Sequence, residues 1–487
     1  MKIPILASSV EGISYNLSSQ EAINYYFEKA PQGELYQGAM LPLHGASSFT
    51  TSATVAAGRK ALFDPDSNLL YAVIGNKLYE YQSDTTETSR GTLNTSSGRV
   101  QMALNPFSGE ILIVDGTNGY IYDIGTTTLS VISDTDYPDT ATTCDYIDGR
   151  FLVNDPNNPG RFWWSDANDG TSWDSASYST AQSVKGALSQ ILVDRRTVYL
   201  LGESKGELWY NSGSSSVFER FEWLDSGIVG DTLRRFDNSA VWVQRTQEGE
   251  LEVVRAGDGY QPQIISTEQL SRQFHLLNTV EDAFAYTYHI DGHNFYVLTF
   301  PTGNATWAYD ASSRQWNQRS GPFSSNEPIR EQVNDVVFCD SWGGHIALDS
   351  QASGKLLALQ ESVYTWDSTA MERRLTGPGI EADNKPKLRF ASVQIDIEAG
   401  TAQAGDTGDD RVIYLSYSKD GGQTFTSGVT MDIGTGGAGA SYHTRLIKRK
   451  LGWGRNWIFS LYTASTRKII IKNAFGMIYG ESISKLK

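Results

Sequence analysis

The sequence predicts an all-β protein: an irregular six- or seven-bladed β-propeller with an N-terminal arm and a C-terminal β-sandwich. Short runs of β-branched and aromatic residues recur at intervals of roughly 40 to 55 residues, a period typical of propeller blades. The chain has 46 Gly, as a turn-rich protein requires, and no long amphipathic helical pattern appears. The runs are centred on Tyr71, Ile111, Phe151, Val198, Val241, Phe295 and Ile346.

Three segments follow from this period. Residues 1–50 do not fit it and are aromatic-rich, so we expect an arm packed on the propeller. Residues 51–375 hold the repeats and are expected to form the propeller. Near residues 367–387 the composition shifts to Asp, Thr, Gly, Pro and Lys, and more widely spaced strand runs follow. Residues 376–487 are therefore expected to form a β-sandwich.

The repeats are recognisable as hairpins. In the first complete one, Leu70–Ile74 and Lys77–Tyr81 flank Gly75-Asn76, a two-residue turn in which Gly supplies a positive φ. Seven centres allow six or seven blades. The irregular spacing favours six, with one hairpin serving as an insertion or as half of a closing blade.

Charge is distributed unevenly along the chain. The net charge is -16, but residues 440–487 carry +9, which leaves -25 for residues 1–439. Such an acidic body excludes a general nucleic-acid-binding surface on residues 1–439. The basic terminus suits phosphate, an acidic neighbour, or a solvated strand face. No run of about 18 apolar residues is present, so no membrane-spanning segment is expected. The apolar stretch at the N-terminus is too short for a secretory signal, so cytoplasmic synthesis is expected.

The two cysteines, Cys144 and Cys339, lie far apart and neither belongs to a CxxC motif. This pattern favours buried free thiols, with one long-range disulfide as the alternative.

Candidate metal sites are weak. His289 and His293 have a metal-like spacing, but they flank a turn and lack a third ligand, so an exposed turn pair is expected. The segment Asp64–Asn68 begins like a calcium loop but lacks the required Gly and Glu, which favours an ordinary turn. A further acidic loop could bind a cation weakly, or its carboxylates could simply be exposed to solvent. These carboxylates are Asp406, Asp409 and Asp410.

No hydrolase, zinc-protease, P-loop or dinucleotide motif is present. With 6 His and 2 Cys, common nucleophiles and bases are scarce. We therefore predict no catalytic, cofactor-binding or metal-binding residues, no cofactor and no enzymatic activity.

One motif favours a different class of protein. The segment Ser418–Phe425 looks like the Asp-box of sialidase-type propellers, a turn in which the Asp carboxylate accepts backbone N–H bonds above a packed aromatic. A carbohydrate-active or carbohydrate-binding propeller is therefore the alternative function, and a host-surface binding module is a third.

Three segments together resemble the packaged-DNA stabilisation proteins, or tail accessory factors, of short-tailed bacteriophages. The first is Asn24–Glu28, although Leu41–Gly45 stands where the family has a Pro-Gly-Leu ending. The second runs from Arg161 to Gly213, with Gln182 in place of a usual Glu. Its parts are Arg161–Ser165, Thr171–Asp174, Tyr178–Gln182, Leu200–Gly202 and Gly206–Gly213. The third joins Tyr417–Gly422 to the basic region Arg445–Arg455.

The resemblance implies a structural virion protein of the tail, made and assembled in the host cytoplasm. It implies a homo-hexameric ring below the portal–adaptor complex that extends and helps close the DNA exit channel. The implied partners are the adaptor, a tail needle, and tailspike or fibre proteins, with genomic DNA passing without sequence-specific binding. The packaged genome would be retained until ejection. An acidic body suits a conduit wall, because negative charge repels phosphates.

Overall fold

The computed structural model describes residues 1–5, 10–11, 19–34, 36–214, 217–246, 248–322, 328–381, 387–400, 411–434 and 444–480. The prediction of an all-β chain is confirmed, because strands dominate every part of the fold. The described helical segments are the α-helix Glu268–His275 and the 3-10 turns Asp258–Tyr260 and Asp340–Trp342. Within the described ranges, none of the helices has the length and apolar character that crossing a membrane requires.

The described repeats form seven four-stranded antiparallel blades. Of the two predicted numbers, seven is therefore confirmed, and the preference for six is wrong. Blade 1 contains strands Gly58–Asp64, Leu69–Ile74, Lys77–Tyr81 and Glu87–Thr92. Blade 2 contains Gln101–Asn105, Glu110–Val114, Gly119–Asp123 and Thr128–Val131. Blade 3 contains Cys144–Ile147, Arg150–Asn154, Arg161–Trp164 and Tyr178–Thr180.

The remaining blades follow the same order. Blade 4 contains Leu188–Asp194, Thr197–Gly202, Gly206–Asn211 and Phe218–Leu224. Blade 5 contains Arg234–Phe236, Ser239–Arg245, Leu251–Ala256 and Pro262–Ile264. Blade 6 contains Phe284–Ile290, His293–Phe300, Ala305–Asp310 and Gln315–Arg319. Blade 7 contains Val333–Cys339, Gly344–Asp349 and Lys355–Gln360, with Gly45–Thr51 as its fourth strand.

Each of the seven sequence centres lies in the second strand of one blade. These strands are nearly continuous runs of buried apolar residues because blades stack on both of their faces. The turn before the third strand of blade 1 has the predicted geometry, with Gly75 at φ 56°. The widest interval, between blades 5 and 6, contains the helix Glu268–His275, which explains the irregular spacing without removing a blade.

The first strands of neighbouring blades contact one another around the whole ring, so they line its axis. The ring is closed by the N-terminal strand Gly45–Thr51, which pairs antiparallel with Lys355–Gln360. A chain segment from before blade 1 thus completes blade 7, and separating the blades requires breaking this strand pair. The small hairpin Thr365–Trp366 and Thr369–Ala370 extends the same sheet.

The remaining strands form two facing sheets with a shared apolar core that includes Phe390, Leu415 and Trp457. The first sheet contains, in order, Tyr25–Lys29, Gly38–Pro42, Ile469–Gly480, Leu388–Ala399 and Arg445–Gly454, with Lys2–Ile3 paired to Ile469–Gly480. The second contains Ser19–Ile23, Arg373–Thr376, Ile458–Thr463, Val412–Ser418 and Val429–Asp432, with Val10–Glu11 on Ser19–Ile23.

The described residues before Gly45 therefore contribute strands to both of these sheets. The second sheet continues into blade 6 through a parallel contact between Ile23 and Gln318. Ile3 and Tyr25 are buried in the same core as the C-terminal strands. The N-terminal segment thus joins the two-sheet unit to the propeller.

Candidate functional site

A polar network fills the axis of the propeller. Its centre is Asp231, whose Oδ2 accepts hydrogen bonds from Arg99 at 2.7 and 3.0 Å. Its Oδ1 accepts from Arg234 at 3.0 Å, from Gln101 at 2.9 Å and from Gln190. Burial alone would raise the pKa of Asp231, but the charges of Arg234 and Arg99 hold it well below the usual range. The carboxylate is therefore a permanent negative centre that holds several blades together.

Arg99 extends the network to blades on the other side of the axis. Its guanidinium donates to the carbonyl of Asn334 at 3.2 Å and lies 4.3 Å from the centre of the Phe284 ring. On the blade 7 side, Asp335 accepts from the backbone N–H of Ala61 at 3.0 Å. The axial cavity that remains is about 230 Å³ and is lined by all seven first strands. It is smaller than a usual small-molecule site, so the axis of one chain has no room for DNA.

Sequence reasoning did not single out this axial network. A signal was available, because Arg99 and Asp231 each stand two or three residues before the first strand of a blade. The signal is weak, because Glu281 stands three residues before the first strand of blade 6 and pairs with Arg245 at the surface instead.

The N-terminal segment that carries the family resemblance is the junction between the propeller and the two-sheet unit. Asn24 is fully buried and adopts φ 54°, a left-handed conformation that Asn tolerates. Its amide donates to the carbonyls of Ser320 at 3.0 Å and Glu372 at 2.8 Å, and its oxygen accepts from the N–H of Ser320 at 3.0 Å. One side chain thus ties the N-terminal segment to blade 6 and to the strand Arg373–Thr376.

A buried histidine lies beside this junction. The ring of His293 is held between two carboxylates, with Nδ1 2.8 Å from Asp310 and Nε2 bonded to Glu28. Burial lowers the pKa of His293, but the two carboxylates outweigh it and raise the pKa above its ordinary value. The imidazolium therefore links blade 6 to Glu28 of the family motif.

We expect this link to weaken at alkaline pH. A group whose pKa is raised by folding stabilises the fold fully below its unfolded pKa of 6.5, and the contribution is lost as the pH rises through the folded pKa. The free energy of unfolding of the wild-type protein should therefore fall as the pH rises above 6.5, whereas His293→Gln should lose this part of the pH dependence. Urea titrations of both proteins at a series of pH values test this.

Another buried histidine does not affect the comparison. Burial lowers the pKa of His345 to about 4, so its titration changes the stability only below pH 6.5. If the free energy of unfolding depended on pH equally in both proteins above pH 6.5, the expectation would be contradicted.

The expected exposed pair of His289 and His293 is wrong for His293, which is buried. The hairpin register pairs His293 with Ile290 and His289 with Asn294, so the two side chains leave opposite faces of the sheet. His289 instead packs against His345, with ring centres 4.6 Å apart. Among the described residues, no group of His, Cys, Asp and Glu has an arrangement that could hold a metal ion.

The Glu-x-Trp segment of the family resemblance also has a structural role. The carboxylate of Glu207 is fully buried. It accepts from the backbone N–H of Ser183 at 2.8 Å, the indole N–H of Trp209 at 2.8 Å and the guanidinium of Arg220 at 3.1 Å. Gln182, the departure from the family pattern, is exposed and precedes this contact by one residue. The substitution therefore leaves the buried carboxylate and its partners in place.

The other singled-out acidic segments form turns. Asp64 accepts from the N–H groups of Asp66 at 3.1 Å and Ser67 at 3.3 Å, which confirms the ordinary turn. Asp420 of the Asp-box-like segment accepts from the Ser418 hydroxyl at 2.7 Å and from the N–H of Thr424 at 3.0 Å, and these hydrogen bonds lower its pKa to about 2. Phe425, expected beneath that turn, is exposed. The acidic loop residues lie outside the described part of the chain; they are Asp406, Asp409 and Asp410.

Cys144 and Cys339 are buried free thiols, so the favoured interpretation is confirmed and the disulfide alternative is wrong. Burial raises the pKa of Cys339 to about 12 and that of Cys144 well above its ordinary value. Neither residue forms appreciable thiolate at neutral pH.

We expect Ellman's reagent to leave both thiols unmodified in the native protein at pH 8, because they are protonated and inaccessible. In denaturant, two thiols per chain should react rapidly. Fast release of the coloured product from the native protein would contradict the buried placement, and no release in denaturant would indicate a disulfide.

The comparison with protein-family models agrees with the propeller architecture. The family model Phage_stabilise, described as bacteriophage P22 Gp10, beta-propeller, matches residues 1–363. No curated protein matches the chain. The solved structure of U3-55K is 9% identical, with 65% of this chain and 98% of that chain covered and a TM-score of 0.41. The N-terminal domain of Nup159 is 10% identical, with 72% and 99% covered and a TM-score of 0.44. The RRP9 WD40 repeats are 8% identical, with 66% and 99% covered and a TM-score of 0.42.

The match to the phage family spans the N-terminal junction and all seven blades, which is well over half of the chain. The chain therefore belongs to this family of phage packaged-DNA stabilisation proteins, which are structural proteins of the virion.

Proposed function

We propose that this protein is a tail hub or nozzle subunit. Six copies form a ring below the portal–adaptor complex, extend and help close the DNA exit channel, and retain the packaged genome until ejection. The observation that carries the proposal is the family match over residues 1–363. In the completed tail the ring also holds the needle and the tailspike or fibre proteins.

The filled propeller axis supports a channel formed between subunits. A cavity of about 230 Å³, crossed by the Asp231 network, cannot pass a duplex. A conduit therefore requires several copies around a common axis, with each propeller acting as a solid wall segment.

The charge of the body supports the same role. Residues 1–439 carry a net charge of -25, which repels phosphates and lets DNA pass without binding. A wall of this kind acts on DNA through shape and repulsion, with no need for bond-making groups.

Electron microscopy of the purified protein mixed with portal–adaptor complexes tests the proposal. The expected result is a six-fold ring bound end-on at the adaptor, with adaptor-free portal as the control. Portals that remain bare at micromolar protein would overturn it.

Genome retention is a separate test. Particles assembled without this protein should lose their DNA to added nuclease, and purified protein added before nuclease should protect it. Equal protection with and without the protein would overturn the retention role while leaving the ring untouched.

A further inference from the structure

The outer face of the first C-terminal sheet exposes apolar side chains. Ile447 is 45%, Trp453 44%, Phe475 37% and Met477 57% exposed. The strand register places them together: Ile447 and Phe475 both pair with Gln394, while Trp453 pairs with Arg389. We call this surface, with the flanking Arg389 and Arg449, the C-terminal face. A contiguous apolar patch of this kind marks an interaction surface.

The C-terminal face also carries positive charge. Residues 444–480 contain eight Lys and Arg and no Asp or Glu. Of these eight, Arg467 is buried and two others pair with carboxylates of the strand Leu388–Ala399. Arg389 lies 6.0 Å from the Trp453 ring, and Arg449 is exposed in the row of Met477. A partner for this face must bring both acidic groups and an apolar group to bury.

The same chain presents such a surface elsewhere, at the corner of blades 2 and 3. Residues 101–149 contain eight Asp and Glu and no Lys or Arg, and Arg150, which follows them, donates to the carbonyl of Ser165 at 2.6 Å. At the hairpin tip of blade 2, Phe107 is 82% exposed. Its turn is fixed by Asn105, whose side chain accepts from the N–H groups of Phe107 at 3.0 Å and Ser108 at 3.3 Å. Phe107 is therefore a fixed apolar knob.

Acidic side chains lie on the same hairpin and on a neighbouring loop of blade 3. The loop of blade 3 lies against the hairpin, because the N–H of Gly170 donates to Glu110 at 3.0 Å. On that loop Asp166 and Asp169 are both exposed. We call Phe107, Glu110, Asp166 and Asp169 the acidic corner. It offers both the carboxylates and the apolar group that a partner of the C-terminal face must bring.

We propose that the C-terminal face of one copy docks on the acidic corner of the next copy, and that this contact is the subunit interface of the ring. The inference rests on the proposed function. The two surfaces are different patches of one chain, so the contact is heterologous and repeats from copy to copy until the ring closes. Nucleic acid fits the C-terminal face less well, because phosphates pair with the arginines but leave four apolar side chains unburied.

Charge reversal on each surface tests the interface. Arg389→Glu with Arg449→Glu reverses the C-terminal face, and Asp166→Lys with Asp169→Lys reverses the acidic corner. Each double variant alone should associate at least tenfold more weakly in sedimentation velocity and should form no ring on portal–adaptor complexes. Glu203→Lys with Glu248→Lys, which makes the same charge change at exposed sites elsewhere, should assemble normally.

An equimolar mixture of the two charge-reversed variants provides the decisive experiment. The reversed face of one fits the reversed corner of the other, and their unmodified surfaces fit each other, so an alternating ring of even number should form. Misfolded variants or lost DNA binding cannot be rescued by mixing. If wild-type protein forms rings and each double variant alone forms them equally well, the proposed interface is wrong. It is also wrong if the mixture of the two variants stays unassembled while wild-type protein forms rings. If wild-type protein forms no ring on the adaptor, the proposed function fails as well.

Discussion

Replacing Asp231 by alanine is expected to destabilise the protein by about 3 kcal/mol, the lower end of the cost of removing one partner from a buried ion pair, because the Asp231 side chain is 14% exposed. The change removes the carboxylate that Arg99 and Arg234 share at the axis. It also removes the acceptor for two glutamine amides. Urea unfolding followed by Trp fluorescence measures the loss.

Asp225→Ala is the matched control. Asp225 also forms an ion pair, with Lys205 at 3.2 Å, but its side chain is 58% exposed, and such surface pairs contribute about 0 to 1 kcal/mol. Equal losses in the two variants would show that the axial network is not a stabilising centre.

A double variant separates the missing charge from the missing contacts. Arg99→Met should be strongly destabilising alone, because Asp231 then keeps only Arg234 as a cationic partner. Combined with Asp231→Ala, it should cost less than the sum of the single losses, since the second change removes a charge that the first left unpaired. Additive losses would contradict a coupled network.

The blades were predictable from sequence because their signals are local. A short turn such as Gly75-Asn76 fixes the pairing of the strands on either side of it, and the neighbouring blades require their second strands to be apolar. The number of blades was harder to predict. The fourth strand of blade 7 comes from Gly45–Thr51, and no local pattern indicates pairing across about three hundred residues.

The junction and the axis show the same limit. The resemblance singled out Asn24–Glu28, but the role of Asn24 depends on carbonyls that are 296 and 348 residues away in the sequence. The separation of His289 and His293 depends on strand register, which spacing alone does not reveal. Residues whose function depends on distant partners are therefore the ones that sequence patterns describe least well.

Substitution of Gly45 is the second change with a large expected effect, because this residue begins the strand that closes the propeller. A Cβ at Gly45 would overlap the carbonyl oxygen of Thr365 and lie 2.8 Å from the carbonyl carbon, and a backbone neighbour cannot rotate away. Gly45→Ala should therefore destabilise the protein by about 1 to 3 kcal/mol, the usual cost of overpacking.

Gly344→Ala is the matched control, since Gly344 also begins a strand of blade 7 and a Cβ there would meet nothing within 4 Å. It should be neutral or slightly stabilising, because alanine restricts the unfolded chain more than glycine does. The closing strand gives a second readout. In Gly45→Ala, hydrogen exchange of the amides in Gly45–Thr51 should accelerate more than that of the blade 3 strands, because local opening begins where the strand pair is strained. Uniform acceleration across all blades would mean that the ring does not open at this strand.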